Sequence, residues 1–421
     1  MRFAYALLTY VLLPVYAAYW LLRAIMNRSY RAQFPQRFGA GYPRPGAGCI
    51  WVHAVSVGEV QASVPLVRTL LSVFPERQLL MTTVTPTGRE RVRLLFGHDV
   101  LHSFIPFDTP AGVRSFFDAV SPRVALIMET EIWPSLYGEC GRRGIPLVLV
   151  SARISPKSQV HYRRFLPLFR ETLSHGIVIA AQSESDAERF RSLGAPPERI
   201  TVTGNIKFDI EVADEVVTNG ARFRRDNFDS RPVWIAASTH DGEEEQVLDA
   251  HRKVRERFPD AILLLVPRHP ERFSAVRSKL HRQHFRFVAR TDGERCTAET
   301  EIFLVDTMGE VPMFYAASDI AYVGGTLVPV GGHNLLEPAA LGLPVVTGPH
   351  LFNTQDIADM FERAGAAVRI SDSGELATEV SSWMTNTQRA RAIGARGREL
   401  VVQNRGALER LLELIRPLLA R

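Results

Sequence analysis

Residues 322–338 read YVGGTLVPVGGHNLLEP, and the architecture of the chain follows from how this stretch is parsed. A β-branched and aromatic run, Ile320 to Val323, stops at Gly324-Gly325. A loop of small residues follows, and Gly331-Gly332 with His333-Asn334 leads into a helix predicted to begin near Leu335. Strand, glycine loop and helix in that order form the unit from which parallel α/β sheets are built. Glycines at such a turn let backbone N–H groups close on a phosphate, and a helix start adds partial positive charge. The same residues also admit a reading with no ligand, because Asn334 followed by Glu337 is an N-cap and capping-box pattern. The two roles are compatible, since a glutamate in the first helical turn still offers oxygens to ribose hydroxyls.

The rhythm of a short apolar run and then a helical pattern extends from about residue 49 to 380. In the first half the strand candidates are residues 50–55, 79–84, 124–128, 147–150, 177–181 and 200–203. After a polar stretch near 212–231 they resume at 233–237, 262–266, 302–305, 320–323, 344–346 and 367–370. This predicts an α/β protein of two Rossmann-like domains, each with six strands, joined by a linker near 205–230 and facing across a cleft where such folds hold ligands. The expected bounds are 27–210 and 211–400, with a last helix at 401–421 whose stripe of Leu408, Leu411, Leu412, Ile415 and Leu419 packs back on the body.

Composition narrows the class. With 421 residues, 46% hydrophobic and 23% charged, the chain is neither disordered nor a polytopic membrane protein. Cys49, Cys140 and Cys296 have no short spacing, which argues against a zinc knuckle, a redox CxxC or a disulfide framework and fits a reducing compartment. The net charge of +5 is small for this length and matters through its placement. No charge interrupts Phe3 to Leu22, so residues 1–26 read as a membrane-anchor helix with interfacial Tyr and Trp and a tolerated Pro14. A helix lying in the interface is the alternative, and a cleaved signal fits less well. Arg23, Arg28, Arg31, Arg37 and Arg44 follow before the first acid, Glu59, which by the positive-inside bias puts the remainder on the cytoplasmic side.

Several residues carry candidate chemistry. Glu59, in VSVGEVQ directly after a strand, is placed to act as a general base, although first-turn glutamates also simply complement the helix dipole. Glu129 and Glu131 follow the strand VALIM, as a polar site or as an N-cap network. Lys207 in GNIKFD and Pro267-Arg268-His269 in LVPRHPERF offer cations for phosphate. Residues 140–170 hold seven Lys and Arg and no acid, with Phe165, Leu166, Leu168 and Phe169 among them; this suits an anionic membrane surface better than nucleic acid, for which no motif is present, and a solvated basic face is the plain alternative. HExxH and D-x-D are absent, and His53, His240, His269, His333 and His350 read as cleft hydrogen-bonders, so no metal ligands are expected.

Taken together, HAVSVGEV, TTVTPTGRE, LIMETEIWP, TGNIKFD, ASTHDGEEE, LVPRHPERF, DTMGE and VGGTLVPVGGHNLLEPAALGLPV, in this order, resemble the 3-deoxy-D-manno-octulosonic acid (Kdo) transferases, inverting sugar transferases of the two-Rossmann-domain (GT-B) type. The resemblance implies CMP-Kdo as donor substrate with no other cofactor and no metal. It also implies a lipid A precursor (lipid IVA) as acceptor in lipopolysaccharide assembly, at the cytoplasmic face of the bacterial inner membrane. Position by position it implies Glu59 as catalytic base, Glu129 and Lys207 as transition-state stabilisers, and Pro267, Arg268, Met308, Gly309, Glu310, Asn334, Leu335, Leu336 and Glu337 as CMP contacts. Leu335 stands where Pro is frequent in the family. A nucleotide-sugar epimerase on the same fold and a non-catalytic membrane scaffold are the rival readings; the anchor and basic stretch disfavour the first, and Glu59 with the Gly331–Glu337 element disfavours the second.

Overall fold

The computed structural model describes residues 1–46 and 48–419. The chain divides into two units, residues 1–209 with 404–421 and residues 210–403. The first holds β1 (Ile50–His53), β2 (Leu79–Thr83), β3 (Val100–Phe104), β4 (Val124–Met128), β5 (Leu147–Ala152), β6 (Val178–Ala181) and β7 (Ile200–Val202). All pairs are parallel, in the order β3-β2-β1-β4-β5-β6-β7. The second holds β8 (Val233–Thr239), β9 (Ile262–Pro267), β10 (Phe287–Ala289), β11 (Ile302–Leu304), β12 (Ile320–Val323), β13 (Val345–Thr347) and β14 (Ala367–Arg369). These are again parallel, ordered β10-β11-β9-β8-β12-β13-β14. The central strands are buried on both faces, so they read as unbroken apolar runs, as in ILLLVP and VALIM.

Each sheet therefore has seven strands where six were expected. The missed strands, β3 and β10, are both edges. β3 carries His102 and Ser103 among its apolar residues and β10 has only three residues, so neither forms a recognisable run; the other two edges, β7 and β14, were among the expected strands. The expected linker is mostly a helix, Asp214–Asn227, with acids in its first turn and Arg224 and Arg225 in its last, as the helix dipole favours. Gly220 brings it against helix Val311–Ala316, where an added Cβ would meet the Ala316 Cβ at 2.6 Å and the Met313 carbonyl oxygen at 2.7 Å.

Helix Ala407–Leu419 completes the first unit: Leu411, Leu412, Ile415 and Leu419 join the core formed by Ile50, Val52, Leu66, Val67 and Leu126. Its start is capped by Asp209, whose carboxylate accepts the N–H groups of Gly406 and Leu408, both at 2.6 Å. The leading helix, Arg2–Met26, is long and apolar enough to cross a bilayer by length and composition. In the fold it lies against the first unit, with Tyr5, Thr9, Tyr16, Trp20 and Ala24 on its covered face.

Candidate active site

In sheets of this kind ligands bind beyond the carboxyl ends of the strands, where the strand order reverses. In the first unit that point lies between β1 and β4. The chain leaves β1, turns, and enters helix Val57–Ala62 with Ser56 as its N-cap. Glu59 folds back over this turn, and its Oε2 accepts the Val55 N–H at 2.8 Å. Burial pushes the Glu59 carboxyl up to about 8; the Val55 N–H and Lys207 oppose this, while Glu129 and Glu131 reinforce it. A carboxyl held there takes or releases a proton near neutrality.

Glu129 leaves β4 with φ of 54°, in the left-handed region that a side chain ordinarily avoids. Its Oε1 receives the Lys207 Nζ at 2.7 Å, from a 3₁₀ turn whose Asn205 side chain accepts the Lys207 N–H. Glu131 accepts the Trp133 indole N–H at 2.7 Å and is raised in pKa, chiefly by burial. The N-cap reading of this acidic pair fails: helix Pro134–Arg143 is capped from a distant loop, Asp108 accepting the Ser135 and Leu136 N–H groups at 2.9 Å each. The structure thus gathers Glu59, Glu129, Glu131 and Lys207 at one end of one sheet.

In the second unit the reversal lies between β8 and β12. Gly324-Gly325 follow β12 as expected, but their surroundings differ from an open phosphate cradle. The fully buried Glu243 occupies it. Its Oε2 accepts the N–H groups of Gly325 (2.7 Å) and His240 (3.1 Å), and its Oε1 accepts the Tyr322 hydroxyl (2.7 Å) and the N–H groups of Thr326 and Leu327 (3.0 Å each). An added Cβ on Gly324 would lie 2.9 Å from this carboxylate. The Gly331 and Gly332 N–H groups turn to the Gly325 carbonyl instead, at 3.1 and 2.9 Å. These amides are committed within the protein because an internal carboxylate and carbonyl satisfy them first.

The charge open to a ligand lies beside this loop. Arg268, after β9, donates its backbone N–H to the Thr239 carbonyl at 2.9 Å, and its guanidinium has no hydrogen-bond or ion-pair partner among the described residues. It acts electrostatically on His240, His333 and Glu337. The His240 and His333 rings stack with their Nε2 atoms 2.8 Å apart, so one donates and the other accepts. Burial, with His240 and Arg268 nearby, pushes His333 down to about 3. Asn334 accepts the Leu336 N–H at 3.0 Å and donates to Glu337 Oε1 at 3.1 Å; burial raises the Glu337 pKa against that bond and Arg268. Leu335 is the N-cap residue of the short helix Leu336–Ala340, one position later than the capping reading placed it. Pro267 ends β9 opposite Thr239. Met308 is exposed and Gly309 has φ of 86°, while the Glu310 carboxylate is engaged by Arg290 at 2.8 Å and by Thr307.

His53 is not a cleft residue: it is buried in β1, its Nδ1 2.8 Å from the Thr82 hydroxyl. Glu243 is the feature the sequence did not single out; His240 and His333 were read singly as cleft hydrogen-bonders, and their pairing shows only in the structure. Among the described residues, no three His, Cys, Asp or Glu side chains gather to hold a metal ion.

Residues 32–210 match the family model described as 3-deoxy-D-manno-octulosonic-acid transferase, and residues 308–416 match one described as glycosyl transferase-like. The chain is 39% identical to the 3-deoxy-D-manno-octulosonic acid transferase of Haemophilus influenzae over 100% of its own length and 99% of that protein's. The solved C-terminal CMP-Kdo binding domain of WaaA from Acinetobacter baumannii is 32% identical and covers 45% of this chain and 100% of that one, with a TM-score of 0.44. A spinosyn rhamnosyltransferase, 13% identical with a TM-score of 0.51 over 87% of this chain and 99% of that one, shares the fold. Identity of this extent along the whole length, added to two parallel sheets that carry the family's motifs at their strand ends, makes the chain a member of the Kdo transferase family of glycosyltransferases.

Proposed function

We propose that the chain transfers Kdo from CMP-Kdo to a sugar hydroxyl of a lipid A precursor, lipid IVA, with inversion and without a metal, at the cytoplasmic face of the inner membrane. Glu59 carries this reading. Poised at about 8, it removes the hydroxyl proton as that oxygen attacks the anomeric carbon from the face opposite CMP. Lys207, oriented by Glu129, supplies positive charge to the transition state. The CMP leaving group is held by the second unit. Its phosphate falls to Arg268, whose guanidinium is unspent, and the amides of Gly325, Thr326, Leu327, Gly331 and Gly332 take no part because Glu243 and the Gly325 carbonyl already use them. Asn334 through Glu337, Pro267 and Met308 through Glu310 complete the donor site, with Glu337 offering oxygens to the ribose.

A positioned base is worth roughly 10²- to 10⁴-fold in rate. Glu59→Gln is therefore expected to lower kcat by at least about 10²-fold while the Kd for CMP stays unchanged. Because only the ionised carboxylate accepts the proton, wild-type kcat/KM rises with pH up to about 8 and then levels, and the variant loses this limb. Near-normal turnover in the variant removes Glu59 from the role.

A further inference from the structure

The leading helix turns Tyr5, Thr9 and Tyr16 inward and most of its aliphatic side chains outward, the reverse of a helix on a water-facing surface. Leu7, Leu8, Val11, Val15, Leu22 and Ile25 are between 51% and 67% exposed. Its covered face is fastened along the whole length. Near one end Arg2 lies 3.7 Å from Glu171, and the Tyr5 hydroxyl donates to Asp108 Oδ2 at 2.9 Å. Midway, the Ala111 N–H donates to the Tyr10 hydroxyl at 3.2 Å and Tyr16 stacks on Phe107 with ring centroids 4.2 Å apart. Near the other end Arg31 donates to the Ala24 carbonyl at 2.8 Å, and the Arg37 guanidinium sits 3.6 Å from the Trp20 ring centroid. Arg37 is fully buried and lies between Trp20 and Phe104, so the helix supplies one of the two aromatic faces that accommodate this cation.

From Arg2 to Ala24 the helix rises about 33 Å, the full thickness of a hydrocarbon core. A transverse span in this docked state would carry Asp108 and Glu171 to that depth, where ionisable groups are disfavoured. We infer that the helix lies in the plane of a single anionic leaflet while docked to the first unit, its outward aliphatic stripe at the boundary between headgroups and acyl chains. Charge at both ends matches such a surface. Arg23, Arg28 and Arg31 cluster at one end with no acid before Glu59. The other end meets helix Leu166–Leu173 through Glu171, and the segment before that helix exposes Val160 and Phe165 beside Lys157, Arg163 and Arg164. Arg142 and Arg143 of the basic stretch are not available for this, since Glu139 and Asp118 pair with them.

The inference is independent of Glu59 and of the identity of the sugar. It is tested on the full chain, with Cys296→Ser to remove the half-buried native thiol and single nitroxide labels at Leu8→Cys, Val15→Cys and Leu22→Cys. These face outward and leave the docked face intact. Depth is read by power saturation on vesicles of phosphatidylglycerol and phosphatidylethanolamine. The expected result is one common depth for all three labels, about 5–10 Å below the headgroup level. Depths of Leu8→Cys and Leu22→Cys differing by about 20 Å along the bilayer normal would establish a transverse span and overturn the inference. So would label–label broadening between chains without any vesicle-dependent depth, which would put a second copy of the chain on the stripe.

Discussion

Glu243 concentrates five hydrogen bonds on one buried carboxylate and so fixes the loop that follows β12, next to the histidine pair and Arg268. Glutamine there keeps one acceptor oxygen and turns an NH₂ group toward the donors that the other oxygen served. Each buried donor left unmatched costs about 1–3 kcal/mol. Glu243→Gln is expected to destabilise the second unit by about 2–5 kcal/mol in urea unfolding and to weaken CMP binding with it; a loss under about 0.5 kcal/mol would show that the carboxylate is not what holds the loop. Neither this residue nor its role was legible in the sequence. Glu243, Glu244 and Glu245 are consecutive after a turn, and only the three-dimensional path shows that the first two point inward. By contrast, Glu129 was legible as a candidate because it follows directly on an apolar strand, and Glu59 because it opens the helix after one, which fixes both near strand ends.

At the scale of elements, legibility followed the apolar run. Strands such as β1, β4, β8 and β9 were read from such runs, as were the short edges β7 and β14, whereas β3, broken by His102 and Ser103, and the three-residue β10 were not. The helix Asp214–Asn227 was read as a linker because only one narrow strip, centred on Gly220, is covered. The stripe of the last helix announced a covered face, but not which core it enters, since that partner lies some 300–400 residues earlier in the chain. Leu411 and Ile415 are fully buried there. Leu411→Ala is expected to cost the first unit about 2–5 kcal/mol by opening a cavity among Val52, Leu66 and Leu126. A calorimetric scan in which the first unit's transition moves down while the second's stays fixed agrees; a shift confined to the second unit's transition would contradict the packing.

For the whole molecule, the chain passes from the first unit to the second at residues 209–210 and returns at 403–404. The proposed chemistry is shared the same way: proton removal and positive charge from Glu59, Glu129 and Lys207 in the first unit, and donor holding from Arg268, Asn334 and Glu337 in the second. Family membership and the repeated parallel sheet were legible from the order of the motifs along the sequence. The commitment of the glycine-loop amides to Glu243 was not, because it depends on contacts that no spacing encodes. The decisive measurement is mass spectrometry of lipid IVA incubated with CMP-Kdo and the purified full chain, alongside Glu59→Gln. The prediction is lipid product heavier by Kdo with the wild type and, in the same time, at least about 10²-fold less with the variant. Unmodified lipid IVA with the wild-type chain, or equal product from both proteins, would contradict it.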